Sequence, residues 1–507
     1  MCRFVSRQGF EPDAVLEPTY GSGGFLLAGI DAFSRLKKIY GVEYHKEYDW
    51  TAKAALTQRL AAYARPPEVR LHRGDIFRHG FDPGFFAVEN LLILGNPPWV
   101  TNSELSSIKS DNVPPKSNFR GLSGIDALTG ASNFDISEGI ISGLLGAFSH
   151  MQGMLAMLCK RTVARNIVRD LPASGYLAHD LQVAPVDARK EFGRSVDAVL
   201  FACRLGKRPP RHTCRVVGLE SPRTAGSFGW VRGRFVSDVS AYSRYSHLDG
   251  RSHLEWRSGI KHDCAPVLEM ASKGGRIYNG LGGRVDIEGD CIYPLVKGSM
   301  IGKMCIESTP GRLLVTQRHP SEETGRLAAL PRTWRYLLSH EKAMNGRKSA
   351  VYGRRRFSMF GVGEYSFMPY KVAVCGMRGG PVFSVCAPAG GRPAMLDDTC
   401  YFLGFKERDD AVFAASVLGT GASAGLLRSL SFAGSKRQYT KAVLERLDLR
   451  RAAAGTGFAE IRKVWRDRGF DGRGLDRQGY ERFRRNLGRC VDGTFRARRQ
   501  GAKVQRR

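Results

Sequence analysis

Across the first 205 residues, apolar runs too short for helices alternate with stretches whose apolar positions recur every three or four residues. "AVLEPTY" (14–20), "IYGVEY" (39–44), "VRLHRGDIF" (69–77), "NLLILGN" (90–96), "GMLAMLCK" (153–160) and "SVDAVLFACRL" (195–205) read as strands. "GGFLLAGIDAFSRLKKIY", "EYDWTAKAALTQRLAAYA" and "TVARNIVRDL", set between them, have helical spacing. Strands that alternate with helices imply parallel pairing through crossovers, with helices covering both faces. The expected fold class is α/β, a doubly wound Rossmann-like sheet.

The chain is longer than one core serves, at 507 residues. The α/β pattern predicts a first domain over 1–205. Residues 206–250 are polar and basic ("GKRPPRHTCR", "SRYSHLDGRSH") and read as a linker with irregular strands. From 251 to 450, glycine-rich turns and short strands predict a separate α+β domain. Residues 451–507 read as a basic tail that holds one helix, "FAEIRKVWRDRGF", and a partly disordered end. The formal charge is +30, and residues 450–507 hold 18 Lys/Arg against 6 Asp/Glu. An excess of this size, spread over the body as well as the tail, favours a polyanionic partner, most often nucleic acid. No apolar run approaches the roughly 18 residues of a membrane span, so no membrane partner is expected. The eleven cysteines include no Cys-x-x-Cys pair, so no metal site is suggested, and reduced thiols in a cytoplasm are expected.

The chemistry-bearing residues sit at strand ends. The first strand runs into "EPTYGSGG", where Gly21 and Gly23 allow backbone to approach a ligand that a Cβ would exclude. Glu43 ends the second strand about 20 residues further on, where a partner for ribose hydroxyls is expected. Asp75 ends the third and can accept from an adenine amine, with Ile76 or Phe77 over the ring. The fourth runs into Asn96-Pro97-Pro98-Trp99. Two prolines in succession end a strand, because neither donates to a ladder. In a doubly wound sheet all four ends open into one crevice.

In these motifs the chain resembles the S-adenosylmethionine-dependent DNA adenine-N6 methyltransferases, and in their order the gamma class (TaqI-like, with the type II restriction–modification methylases). The family tetrapeptide is matched by Asn96 to Trp99, and the cofactor motif by Glu17, Pro18, Gly21 and Gly23. "ASNFDISEGI" (131–140) resembles the next motif, "GMLAMLCKRTVAR" the following strand and helix, and "KEFGRSVDAVLFA" the motif that carries a base-stacking aromatic. The resemblance implies a catalytic domain over 1–205 and a target-recognition domain over 251–450. It implies S-adenosyl-L-methionine as cofactor, double-stranded DNA as substrate, a separate restriction endonuclease as possible partner, and a bacterial or archaeal, nucleoid-associated location. Asn96 and Pro97 would hold the target amine, with Trp99 and Phe192 on the two faces of a flipped base. Only 20 residues precede Gly21 and none resembles the family's upstream cofactor segment, so an N-terminally truncated chain with weakened cofactor binding is expected.

Rival chemistries read less well. Cytosine-C5 transfer uses a thiolate in a Pro-Cys dipeptide, and the chain has none. Cytosine-N4 transfer usually has Ser where Asn96 stands. Protein glutamine-N5 methylation could use the same tetrapeptide, but the positive charge and the second domain favour DNA. A catalytically weak DNA-binding specificity subunit is the remaining alternative.

Overall fold

The computed structural model describes residues 1–100, 135–193, 195–209, 211–221, 223–349, 352, 355–377 and 379–489. Residues 131–134 of the "ASNFDISEGI" segment and the tail from 490 lie outside them. The chain divides into two compact units, from Met1 to Ser240 and from Ala241 onward.

The first unit is built on one mixed sheet. Its strands are β1 (Ala14–Glu17), β2 (Lys38–Glu43), β3 (Glu68–Arg73), β4 (Leu91–Gly95), β5 (Gly153–Lys160), β6 (Ala178–Asp187), β7 (Asp197–Leu205), β8 (Thr213–Val217), β9 (Thr224–Val231) and β10 (Arg234–Val236). The order across the sheet is β10-β9-β8-β6-β7-β5-β4-β1-β2-β3. β3, β2, β1, β4 and β5 are mutually parallel. Every residue of β1 and of β4 is buried, as a central strand covered on both faces requires. The covering helices include α1 (Cys2–Arg7), α2 (Gly24–Ala32) and α3 (Lys46–Leu60), followed by helices Ile136–Phe148 and Arg161–Ser174. Phe4, Val5, Leu26, Ile30, Leu56, Leu92 and Leu94 meet in the core between helices and sheet.

The structure corrects two expectations here. The sheet is not wholly parallel: β7 runs antiparallel to both β5 and β6, and sits between them. The stretch 206–250 is not a linker. β8 adds to β6 and carries β9 and β10 with it, so these strands extend the first sheet. Cys214, Val217, Phe228 and Val236 are buried and supply the apolar side chains.

The second unit contains two sheets. The first has the order β11 (Arg257–Ser258), β21 (Cys400–Phe405), β18 (Tyr370–Cys375), β19 (Phe383–Cys386), β16 (Cys305–Ile306). The other has the order β14 (Arg284–Val285), β13 (Arg276–Asn279), β12 (Glu269–Lys273), β17 (Gly311–Leu314), β15 (Ile292–Val296), β20 (Met395–Leu396). This α+β make-up agrees with the short strands and glycine turns of the sequence. The segment 451–489 is no loose tail. Helices Phe458–Asp467 and Arg477–Arg489 follow one another, Trp465 Nε1 donates to Ser416 Oγ at 2.7 Å, and the Tyr480 hydroxyl donates to the Ala453 carbonyl at 3.1 Å. Among the described residues no single helix is long and apolar enough to cross a membrane.

Candidate active site

Strand order reverses between β1 and β4, so the chain leaves these neighbours in opposite directions and opens a crevice at their carboxyl ends. A cavity of about 630 Å³ lies there, lined by Pro18, Gly21, Glu43, Asp75, Ile76 and all of Asn96 to Trp99. Thus the four strand-end motifs, spread over some eighty residues of sequence, face one volume.

The turn after β1 is shaped by its glycines. Gly21 has φ +52° and Gly23 has φ +82°, both in the left-handed region. A Cβ on Gly23 would come within 3.1 Å of the Ala52 Cβ on α3. Gly23 therefore serves helix packing and does not line the cavity. A Cβ on Gly21 would meet nothing within 4 Å. Here the backbone borders open space, and its N–H is turned inward to Glu43. Glu43 Oε2 accepts from Gly21 N at 2.8 Å, and Oε1 accepts from His45 N at 2.8 Å. The carboxylate at the end of β2 thereby pins the first turn. The lone pairs that remain on its oxygens border the cavity.

Asp75 follows β3, and its Oδ1 accepts from Phe77 N at 3.0 Å, which curls Ile76 and Phe77 back over the crevice. Glu17 is placed differently. It ends β1 but is 2% exposed and lies behind the lining. Its Oε2 has no hydrogen-bond partner among the described residues. Burial pushes its carboxyl well above the ordinary range, a backbone hydrogen bond from Leu26 opposes this, and the charge of Glu43 adds to it.

After β4, Asn96 is exposed and Pro97 buried. Trp99 is half-buried, and its Nε1 donates to the Leu158 carbonyl of β5 at 3.3 Å. Ile136 N donates to the Val100 carbonyl at 3.0 Å, so the helix Ile136–Phe148 begins beside the tetrapeptide. Asp135 caps that helix by accepting from Ser137 N, and pairs with Lys160 at the end of β5 at 2.8 Å. Phe192 ends the short helix Ala188–Phe192 and is 41% exposed. It meets Trp99 edge to face, with centroids 5.6 Å apart and planes at 84°. The two rings are neighbours, but they do not form the parallel pair expected of a base sandwich.

Sequence reasoning missed part of the wall. Tyr44, His45, Tyr48, Ile136, Ile140 and Val196 also line the cavity. The aromatics of "EYHKEY" directly after β2 were a legible signal for three of them.

No protein-family model matches the chain. The chain is 36% identical over 453 residues to the type II methyltransferase M.NspV of Nostoc sp., covering 89% of this chain and 93% of that protein. Solved structures are similar only distantly. The type IIG restriction endonuclease BpuSI aligns at 12% identity over 96% of this chain and 64% of its own, with a TM-score of 0.36. A type I restriction–modification methyltransferase subunit from Streptococcus thermophilus aligns at 13% identity over 44% and 48%, with a TM-score of 0.27. With the Rossmann-like sheet and the crevice at its switch point in place, the extent and identity of the match to M.NspV decide the family: this chain belongs to the type II methyltransferases.

Proposed function

We propose that this protein is a gamma-class, site-specific DNA methyltransferase of a restriction–modification system, acting on N6 of an adenine flipped out of duplex DNA. The methyl donor is S-adenosyl-L-methionine. The observation that carries this reading is the opening of Glu43, Asp75 and Asn96-Pro97-Pro98-Trp99 into a single cavity.

The residues present fit the cofactor. The open backbone at Gly21 leaves room that a side chain would fill. Glu43 and Asp75 offer acceptors to ribose hydroxyls and to an adenine amine, and Ile76 covers the ring. Pro18 lies beside them on the lining. When bound, the cofactor supplies an electrophilic methyl group on a sulfonium.

The protein's task is to make a poor nucleophile attack. The lone pair of the adenine amine is delocalised into its ring. Asn96 Oδ1 and the Pro97 carbonyl both accept from that amine, which favours a pyramidal nitrogen and frees the lone pair. Pro97 and Pro98 fix an extended backbone, so the acceptors are aimed before the base arrives. Alignment of the two reactants supplies much of the rate. The target base must first leave the stack. Trp99 then contacts one face. Phe192 reaches the other after its ring turns away from the edge-to-face contact.

The unit from Ala241 onward supplies target recognition, and the positive charge of the chain supplies phosphate contacts in the cytoplasm. A separate endonuclease would cut unmodified copies of the same site.

The test is transfer of tritiated methyl from the cofactor to duplex DNA, with the modified base identified by digestion and chromatography. N6-methyladenine is the expected product. Label in protein, or in cytosine, would refute the assignment.

A further inference from the structure

One hairpin of the second unit presents a side chain from which its own fold gains nothing. β13 and β14 pair antiparallel, with Ile277 opposite Val285 and Tyr278 opposite Arg284. Their connection is Gly280-Leu281-Gly282-Gly283, and β14 is the edge of its sheet.

The loop is held rigidly. Asn279 is 9% exposed, and its Oδ1 accepts from Leu281 N at 3.1 Å and Gly283 N at 2.9 Å. Asn279 Nδ2 donates to the Tyr336 hydroxyl at 3.1 Å, and that hydroxyl donates to the Val267 carbonyl at 2.7 Å. Two of the glycines are demanded by geometry. A Cβ on Gly280 would meet the Pro266 Cα at 2.8 Å, and Gly282 has φ +83°. Leu281 has no such reason to be there. It is 64% exposed at the tip, between glycines that leave it standing clear.

A lone exposed leucine is ordinary on a protein surface. This one differs in its mounting and its neighbours. Arg284 on β14, Arg276 at the start of β13 and Lys273 at the end of β12 are exposed, and none of the three has an ion pair among the described residues. An apolar tip one side chain wide, with the unpaired Arg284 beside it and two further cations at the far end of the hairpin, is complementary to a nucleic-acid groove. The cations meet phosphates and the apolar tip meets the groove interior.

We propose that the Asn279–Arg284 hairpin is a DNA wedge, with Leu281 inserted into a groove of the duplex and Arg284 on the adjacent phosphate. This rests on the reading of the chain as a DNA methyltransferase. Asn279 and Tyr336 are positioning residues that keep the tip from folding back.

The test is fluorescence anisotropy of the full chain on a labelled duplex that carries the methylated sequence, repeated over a series of salt concentrations. A mixed-sequence duplex is used if no methylation is found. Leu281→Ala should weaken binding about 10- to 100-fold, the range that burial of one leucine side chain commands. It should leave the salt slope and the thermal unfolding midpoint unchanged, because Leu281 is neither charged nor packed. Leu281→Met should restore most of the affinity. Arg284→Ala should lower the slope by about one, as loss of one phosphate contact does. Equal binding by wild type and Leu281→Ala overturns the wedge, and so does a changed salt slope in Leu281→Ala. A wild-type chain that binds duplex through Leu281 but forms no N6-methyladenine in any DNA offered, genomic DNA included, would refute the adenine-methylation reading and leave the wedge standing. A wild-type chain that does not bind duplex overturns both.

Discussion

Glu17 is the most exposing test of the site's electrostatics. Its carboxyl is 2% exposed at the end of the fully buried β1, and one of its oxygens has no partner among the described residues. Burial therefore raises its pKa well above the ordinary value of 4.5. The folded chain then holds a proton that the unfolded chain releases. A carboxyl with a raised folded-state pKa contributes stability below its ordinary pKa and loses it as pH rises toward the folded value. The slope is one proton, up to about 1.4 kcal/mol per pH unit within that window. Glu17→Gln keeps the shape and removes the titration. The stability of the variant relative to wild type should climb with pH from about 4.5, and level off once the folded-state pKa is passed. Hydrogen exchange at the amides of Ala14–Glu17, measured at a series of pH values and corrected for intrinsic exchange, reads this in the first unit alone. A difference that stays flat with pH would mean that Glu17 is ionised in the folded chain, and that something compensates its charge.

Asn96→Ala should retain cofactor binding by calorimetry and lose methyl transfer by at least about 100-fold, the typical loss for one preorganised polar contact. Glu43→Gln removes the charge that receives Gly21 N and His45 N. Cofactor affinity should fall roughly 10- to 100-fold in the same titration, the scale of one charge-assisted hydrogen bond. Gly23→Ala forces a left-handed residue against Ala52. It should cost about 1–2 kcal/mol, seen as a lowered unfolding midpoint of the first unit. Removal of residues 490–507, which carry 6 Lys/Arg against 1 Asp, should reduce the salt dependence of DNA binding without moving the methylated site, as modified-base sequencing would show.

Periodicity made most of the first unit legible. β5 occupies the same eight residues, 153–160, that the apolar run predicted, α2 lies within its helical stretch, and α3 begins one residue before its own. β6 escaped notice because Asp180 and Pro185 break its apolar run, and a register shift between His179 and Gln182 breaks its alternation. β8 to β10 read only as irregular strands of a linker because of their composition. Their exposed residues are basic and small, and only partners elsewhere in the sheet make strands of them. In the helix Arg477–Arg489 the signal was present but swamped. Tyr480, Phe483 and Leu487 fall on one face and are buried, yet five arginines in the helix made the segment read as tail. The wedge loop was invisible for a different reason. "NGLGGR" is an ordinary turn sequence until Pro266 and Tyr336 show which glycines are forced and which residue is free.

The site itself separates what topology dictates from what it does not. Parallel strands leave the sheet on the same side, so a motif at each carboxyl end must share the crevice whatever its distance in sequence. This is why Gly21, Glu43, Asp75 and Asn96 could be brought together from sequence alone. Val196 precedes a strand, whereas Phe192 follows β6, whose carboxyl end lies at the same edge as that of β5. Phe192 lies beside Trp99 after the carboxyl end of β6, and Val196 lines the cavity because β7 is antiparallel to its neighbours. Ala198 at its start lies opposite Lys160 at the end of β5, and Asp197 opposite Asp187 at the end of β6. Strand direction leaves no trace in an apolar run such as "AVLFACRL", and β6 was not read at all, so periodicity could not supply this side of the crevice. The placement of Phe192 beside Trp99 therefore depends on β6 running in the direction of β5, with β7 inserted between them in the reverse direction. The edge-to-face contact at 5.6 Å is what that insertion leaves between the two rings.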